Sequence, residues 1–356
     1  MKKVRVLIVD DSALARSIIQ AGLAKDPGIE VVGSASDPFV ARDKLIELRP
    51  DVMTLDVEMP RMDGVEFLRR LMPQYPIPVV MMSSLTQKGK QVTLDALEAG
   101  AVDFVFKPTN DLARRLDDVM MELRTKVKIA AGANVSQWKE KRAPVPIAAS
   151  RSLHESTDKV IAIGASTGGT EALRQVLAAF PAGMPGIVVV QHMPPGFTKM
   201  FADRLNQLCQ MEVREAVTGD RIMQGRILIA PGGVQMKVQR RGGIYQVECA
   251  GTEKVSGHCP SVDVMMHSVA EEVGANAVGV MLTGMGHDGA EGMLAMRKKN
   301  ARTVAQDEAT CVVFGMPKVA FEKGGAESLK PLDQIPRTVM GFLDAPAAGT
   351  RAGVHP

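Results

Sequence analysis

Apolar residues in the first third of the chain come in short dense runs rich in Val and Ile, at 4–9, 29–33, 51–55, 77–82 and 102–106. Each run is followed by a longer stretch whose apolar positions recur at helical spacing. Runs of this length without internal alternation predict strands buried on both faces, and their interleaving with helices predicts a doubly wound parallel sheet. A second series begins at Lys159: the segments 160–163, 187–190, 227–230 and 277–282 have the same strand character, while 169–179, 197–208, 261–273 and 289–299 carry helical period. In 261–273, for instance, Val262, Met265, Met266, Val269 and Val273 share one face. Between these segments, 235–238 and 245–249 flank Arg240-Arg241-Gly242-Gly243, a pattern that predicts a β-hairpin. The expected fold class is α/β, with two doubly wound parallel-sheet domains and a hairpin in the second.

Between about Ala130 and Asp158 the texture changes. Ala-Gly-Ala-Asn, Lys-Glu-Lys-Arg, Pro144 and Pro146 replace the large apolar residues, which predicts a linker. Trp138, the only tryptophan, is the residue there with the bulk to dock on a domain. Beyond Ala345 small residues predict a frayed end. The expected organisation is thus a first domain at 1–128, a linker at 129–157, a second domain at 158–346 and a tail at 347–356. The length of 356 residues suits about two domains.

Composition narrows the class further. With 46% hydrophobic and 23% charged residues the chain is neither collagen-like nor wholly disordered. Forty-three basic against 40 acidic side chains give a net charge of +3, so no electrostatic case for a nucleic-acid partner arises. Cys209, Cys249, Cys259 and Cys311 show no metal-ligand spacing and predict reduced cytosolic thiols. No run approaches the ~18 apolar residues of a membrane span. The first run stops at Asp10-Asp11, too short for a signal peptide. A cytoplasmic monomer without membrane insertion is expected.

In a parallel sheet, function gathers at the carboxyl ends of the strands. Asp10 and Asp11 end the first predicted strand, Asp56 the third, Ser83-Ser84 the fourth and Lys107-Pro108 the fifth. Singly, an Asp at a strand end reads as a cap for the following helix. Together, the carboxylates suit a hard cation such as Mg²⁺, and a nearby ammonium would neutralise an incoming phosphoryl group. The set resembles the response-regulator receiver domain over about 1–128, and Met59-Pro60-Arg61-Met62-Asp63-Gly64 shares the likeness. The resemblance implies a flavodoxin-like fold with Asp56 as phospho-acceptor and Mg²⁺ held by Asp10, Asp11, Asp56 and the backbone carbonyl of Glu58. It also implies that Ser83 is the switch hydroxyl, that Lys107 contacts the phosphoryl group and that Phe104 occupies the aromatic switch position, here without a phenol oxygen. Spacing leaves Ser84 as an alternative to Ser83.

The strand at 160–163 runs into Gly164-Ala165-Ser166-Thr167-Gly168-Gly169 and then a helical segment. Strand, G-x-S-x-G, helix is the context that presents a serine on a sharp turn beside free amides. A simple Ser N-cap shares this geometry. A dinucleotide loop needs a middle glycine where Ser166 stands, and a P-loop needs a lysine after the glycines. A nucleophilic serine requires a base and a group to orient it. Among the histidines, His154 and His355 fall in the linker and tail, and His267 lies within an amphipathic helix as a structural residue. His258 sits in a loop that suits either surface or site. His192 follows the strand at 187–190, at a carboxyl end like Ser166. Asp288 lies in the loop after the strand at 277–282, where with Glu291 it could also form a capping box. His287, adjacent to it, is the second candidate base.

Gly164-Ala165-Ser166-Thr167-Gly168-Gly169, Gln191-His192-Met193-Pro194, Ala230-Pro231-Gly232, Ser261-Val262-Asp263 and Leu282-Thr283-Gly284-Met285-Gly286-His287-Asp288-Gly289 together resemble the catalytic domain of the chemotaxis protein-glutamate methylesterase family. The resemblance implies a Rossmann-like domain in which Ser166 is the nucleophile, His192 the general acid/base and Asp288 the orienting carboxylate. Thr167 and Met285 would stand at the oxyanion pocket. It further implies hydrolysis of glutamate methyl esters on chemoreceptors, with glutamine deamidation, under control of a chemotaxis histidine kinase as phosphodonor. Mg²⁺ would serve phosphorylation, with no cofactor for ester hydrolysis. Two other classes compete: a transcriptional regulator, whose basic helix could only be Met296-Arg297-Lys298-Lys299-Asn300, and a non-catalytic scaffold.

Overall fold

In a computed structural model of the chain, residues 2–84, 86–107, 112–139 and 158–344 are described, and they fall into two compact units, 1–142 and 143–356. The first unit runs β1 (Val4–Val9), α1 (Ala13–Ala24), β2 (Ile29–Ala35), α2 (Pro38–Leu48), β3 (Val52–Asp56), α3 (Gly64–Leu71), β4 (Val79–Ser83), α4 (Gln87–Ala99), β5 (Asp103–Phe106) and α5 (Leu112–Ala131). Its five parallel strands lie in the order β2-β1-β3-β4-β5. The order reverses between β1 and β3, so the crevice beyond their carboxyl ends is the natural site.

Helix starts in this unit are capped by residues other than the strand-end aspartates. Ser12, Asp37, Asp63 and Thr86 each accept a hydrogen bond from a first-turn N–H of α1, α2, α3 and α4 respectively. Asp10 and Asp56 are therefore not consumed as helix caps. Helix α5 continues past Lys128 into the segment expected as linker, because Met120, Leu123, Val127 and Ala130 keep one buried face going to its end. A short 3-10 turn, Ser136–Lys139, follows and buries Trp138, whose ring would lie 3.1 Å from a Cβ built on Gly100. Linker residues 140–157 and the tail at 347–356 lie outside the described residues.

The second unit contains β6 (Val160–Ala165), α6 (Gly169–Ala179), β7 (Gly186–Gln191), α7 (Phe197–Leu208), β8 (Glu212–Glu215), β9 (Arg226–Ile229), the hairpin β10 (Met236–Arg241) and β11 (Ile244–Cys249), α8 (Val262–Glu272), β12 (Ala277–Met281), α9 (Ala290–Lys298), β13 (Arg302–Gln306), α10 (Met316–Glu322), β14 (Leu329–Lys330) and α11 (Ile335–Asp344). Seven parallel strands lie in the order β14-β13-β12-β6-β7-β9-β8. The chain builds outward from β6 in both directions, so the reversal of order falls between β6 and β12. The predicted apolar face of α8 packs into the core, where Val262, Met265, Met266 and Val269 join Met281 and Met293. His267 is exposed on the opposite face of α8. The basic end of α9 is an exposed helix terminus in which Arg297 pairs with Glu327 at 2.9 Å.

Candidate active site

Three adjacent strands deliver the candidate triad. Register pairs Ala165 at the end of β6 with Gln191 at the end of β7, and the His192 N–H donates to the Ala165 carbonyl at 3.1 Å, so Ser166 and His192 leave neighbouring strand ends side by side. On the other flank, the Ser166 N–H donates to the Thr283 carbonyl at 3.0 Å, just beyond β12. The Ser166 carbonyl accepts from the Gly169 N–H at 2.7 Å and from Gln191 Nε2 at 3.0 Å, so the backbone of the serine is held on three sides. Gly168 takes φ +76° at the start of α6, the left-handed conformation that lets strand turn into helix within a few residues. Gly284 is needed for space: a Cβ there would stand 2.7 Å from the Ser166 Cβ and 2.4 Å from Met316 Sδ. Thr283 fixes the loop from above, donating through Oγ1 to the Thr167 carbonyl at 3.0 Å while Gln306 Oε1 accepts its N–H at 2.8 Å.

His192 Nε2 and Asp288 Oδ2 are 2.7 Å apart, and both side chains are buried. Asp288 does not form the capping box with Glu291. Gly289 is the N-cap of α9, and Glu291 pairs with Lys323 instead. The Asp288 carboxylate turns to the N-terminus of α8, where Oδ1 accepts from Ser261 Oγ at 2.7 Å and from the Asp263 N–H at 3.1 Å, and Oδ2 accepts from the Val262 N–H at 2.7 Å. Burial pushes its pKa upward, but the bonds from His192, Ser261 and Val262 outweigh it and hold the carboxyl below the ordinary range. A helix N-terminus adds to the same stabilisation of negative charge. With Nε2 committed to Asp288, the second ring nitrogen of His192, Nδ1, is buried without a hydrogen-bond partner. The Ser166 hydroxyl makes no hydrogen bond to His192 among the described residues, so the structure joins His192 to Asp288 directly and sets Ser166 on the neighbouring strand end.

His258, which the sequence left between surface and site, stacks on His192 with ring centroids 3.6 Å apart and planes 8° from parallel. Burial first, and the neighbouring His192 next, push its pKa down to about 4. His287 is exposed. Met285 is also exposed, with its side chain open to solvent at the loop that follows Gly284.

In the first unit, one ligand oxygen from each of Asp10, Asp11 and Asp56 lies within 4.8 Å of the others. Lys107 Nζ reaches Asp10 Oδ2 at 2.9 Å and Asp56 Oδ2 at 2.7 Å. Asp10 and Asp56 are buried and Asp11 is exposed. Burial pushes the Asp56 pKa up to about 6, against the pull of Lys107. Lys107 is held above its ordinary value, since the bonds from Asp10 and Asp56 overcome the opposing effect of burial. Three carboxylates facing a single ammonium leave an excess of negative charge on hard oxygen donors, which fits a divalent cation such as Mg²⁺. Glu58 lies against the cluster, its N–H donating to Asp56 Oδ1 at 3.3 Å. Ser83 is buried with its hydroxyl in a network on the α4 side, donating to the Gly89 carbonyl at 3.2 Å and accepting from Thr93 Oγ1 at 2.6 Å. Ser84 Oγ instead pairs with Thr86 Oγ1 at 3.1 Å. Phe104 is buried beneath the Lys126 ammonium, which stands 5.0 Å from its ring centroid.

Comparison with known proteins matches this division. A CheB methylesterase family model covers residues 161–339, and a response regulator receiver domain model covers residues 6–117. A protein-glutamate methylesterase/protein-glutamine glutaminase of Syntrophotalea carbinolica is 69% identical over 346 residues, spanning 96% of this chain and 98% of the relative. The protein of that description from Salmonella typhimurium is 50% identical over 345 residues, spanning 97% and 98%. Among solved structures, the CheB methylesterase catalytic domain of Thermotoga maritima aligns with TM-score 0.51 at 36% identity, covering 52% of this chain and 100% of its own. No described helix is long and apolar enough to cross a membrane. With both domains matched and a 69% identical relative spanning nearly its whole length, the chain belongs to the CheB methylesterase family.

Proposed function

We propose that the chain hydrolyses γ-methyl esters of glutamate side chains on chemoreceptors, and deamidates specific receptor glutamines, through Ser166, His192 and Asp288. The observation that carries the reading is the buried His192–Asp288 bond at the strand end next to Ser166. Rotation of the Ser166 side chain toward His192 closes the remaining contact, as is usual when a site without substrate tightens. His192 Nδ1, the nitrogen without a partner, then takes the Ser166 proton as Oγ attacks the ester carbonyl. Asp288 fixes the tautomer through Nε2–H and stabilises the imidazolium. Backbone amides near Thr167 and Met285 hold the oxyanion. The imidazolium returns its proton to the departing methoxide, releasing methanol, and water cleaves the acyl-enzyme by the same steps with His192 again as base. In deamidation the departing group is ammonia.

Asp56 is the proposed phospho-acceptor, with a chemotaxis histidine kinase as donor. Mg²⁺ bound by Asp10, Asp11, Asp56 and the Glu58 carbonyl would supply charge neutralisation there, and Lys107 would pair with the phosphoryl oxygens. Ser83 would have to leave its α4 partners to reach a phosphoryl group, which fits a switch hydroxyl that moves on activation. Phosphorylation relieves inhibition by the receiver and so couples hydrolysis to signalling in the cytoplasm. Methanol release from methylated receptor membranes, with and without a phosphodonor, tests the proposal. Stimulated release that disappears in Ser166→Ala supports it, and undiminished release in that variant overturns it.

A further inference from the structure

His258 is held in place by a circuit of bonds that begins and ends at the triad. Gln235, buried below the site, donates through Nε2 to the His258 carbonyl at 3.2 Å and accepts the Ser261 N–H through Oε1 at 2.8 Å. Ser261 Oγ in turn donates to Asp288, Asp288 bonds His192, and His192 stacks on His258. The loop itself is pinned a second time: Val255 and His258 exchange backbone bonds at 3.0 and 2.9 Å, and Ser256 Oγ donates to Asp263 Oδ2 at 3.1 Å.

A closely superposed pair of rings at 3.6 Å is not the arrangement that neutral π-systems prefer, since their like-signed faces repel. It becomes favourable when one ring carries a positive charge, as His192 does after taking the serine proton. We propose that His258 is a positioning residue for hydrolysis, its ring fixing the plane of His192 and stabilising that imidazole when it is protonated. The inference rests on the proposed role of His192 as general base. His258 must itself stay neutral for this. Burial first, then the charges of His192, Lys254 and His287, lower its pKa against the opposing pull of Asp288, and the balance keeps it unprotonated near neutral pH.

The test is the full chain, activated by a phosphodonor, acting on methylated receptor membranes, with methanol release followed as kcat and KM. His258→Phe retains a ring face, whereas His258→Leu fills similar volume without one. The expected result is near-parental kcat in His258→Phe and a roughly 10-fold loss in His258→Leu at unchanged KM, the size a cation–π contact supports. The loss in His258→Leu falls on kcat with KM unmoved and is restored by the ring of His258→Phe, a pattern that a merely structural role would not produce. Equal behaviour of the two variants, whether both active or both impaired, overturns the inference. Ser166→Ala run in parallel separates the two claims: retained release there defeats the triad itself, while its loss beside equal His258 variants defeats only the role of His258.

Discussion

Asp288→Asn is the perturbation whose consequences the structure works out most fully. Both carboxylate oxygens act only as acceptors, Oδ1 for Ser261 Oγ and the Asp263 N–H, Oδ2 for His192 and the Val262 N–H. An amide has one acceptor oxygen, so its NH₂ must face a backbone donor in either orientation. With nitrogen at the Oδ1 position, Ser261 can rotate to accept but the Asp263 N–H is orphaned. With nitrogen at the Oδ2 position, the Val262 N–H is orphaned and His192 must present an unprotonated Nε2, which puts its proton on Nδ1 and disables it as base. One buried unsatisfied donor costs about 1–3 kcal/mol, so the unfolding midpoint falls in both cases. The first orientation preserves the tautomer and is favoured, yet the imidazolium then lacks its counter-charge. A unit charge about 4 Å away at an effective dielectric of ~20 is worth about 4 kcal/mol, which sets the loss of kcat at roughly 10²- to 10³-fold. Methanol release under activated conditions measures the rate, and thermal unfolding measures the cost to the fold. An Asp288→Asn chain within a few-fold of parental kcat would refute the reasoning, because no arrangement of the amide reproduces what the carboxylate supplies.

Gly284→Ala places a Cβ against Ser166 and Met316, so turnover should fall at least 10-fold while overpacking costs about 1–3 kcal/mol, read by methanol release and thermal unfolding. His258 predicts a pH dependence of stability: its folded pKa of about 4 lies below the unfolded value of ~6.5, so stability present above pH ~6.5 is lost as pH falls toward 4. His258→Phe should flatten that slope in chemical denaturation between those pH values. Asp56 works in the opposite sense: its folded pKa of about 6 exceeds the unfolded ~3.9, so the receiver loses stability as pH rises between those values. At pH 7 Mg²⁺ should therefore raise the receiver's unfolding midpoint, and by less in Asp56→Asn, which should also lose its response to phosphodonor.

Much of this architecture can be read from runs of Val and Ile, because fully buried parallel strands leave a dense apolar signature and their carboxyl ends mark where polar residues matter. Asp10, Asp56, Ser166 and His192 could be picked out on that ground alone. The edge strand β8, Glu212–Glu215, has no such signature, since only Val213 in it is buried. Strand β13 begins with Arg302 and ends on a buried Gln306 whose amide is spent on Thr283 and Thr310, a satisfaction that periodicity cannot foresee. The extension of α5 beyond Lys128 was hidden by small residues, Ala130 and Ala131, that suit a linker as well as a helix end. The partners of Asp288 at the start of α8 and the stacking of His258 depend on tertiary placement of loops far apart in sequence, for which no local pattern exists.

The central claim is a covalent one, that receptor carbonyls are carried on Ser166. Mass spectrometry of the activated chain, quenched during turnover of a receptor peptide bearing a glutamate methyl ester, reads it directly. An adduct of peptide mass less methanol on the fragment containing Ser166, absent in Ser166→Ala, is the expected result. An adduct on another residue, or turnover by the Ser166→Ala chain at the parental rate, would contradict the account.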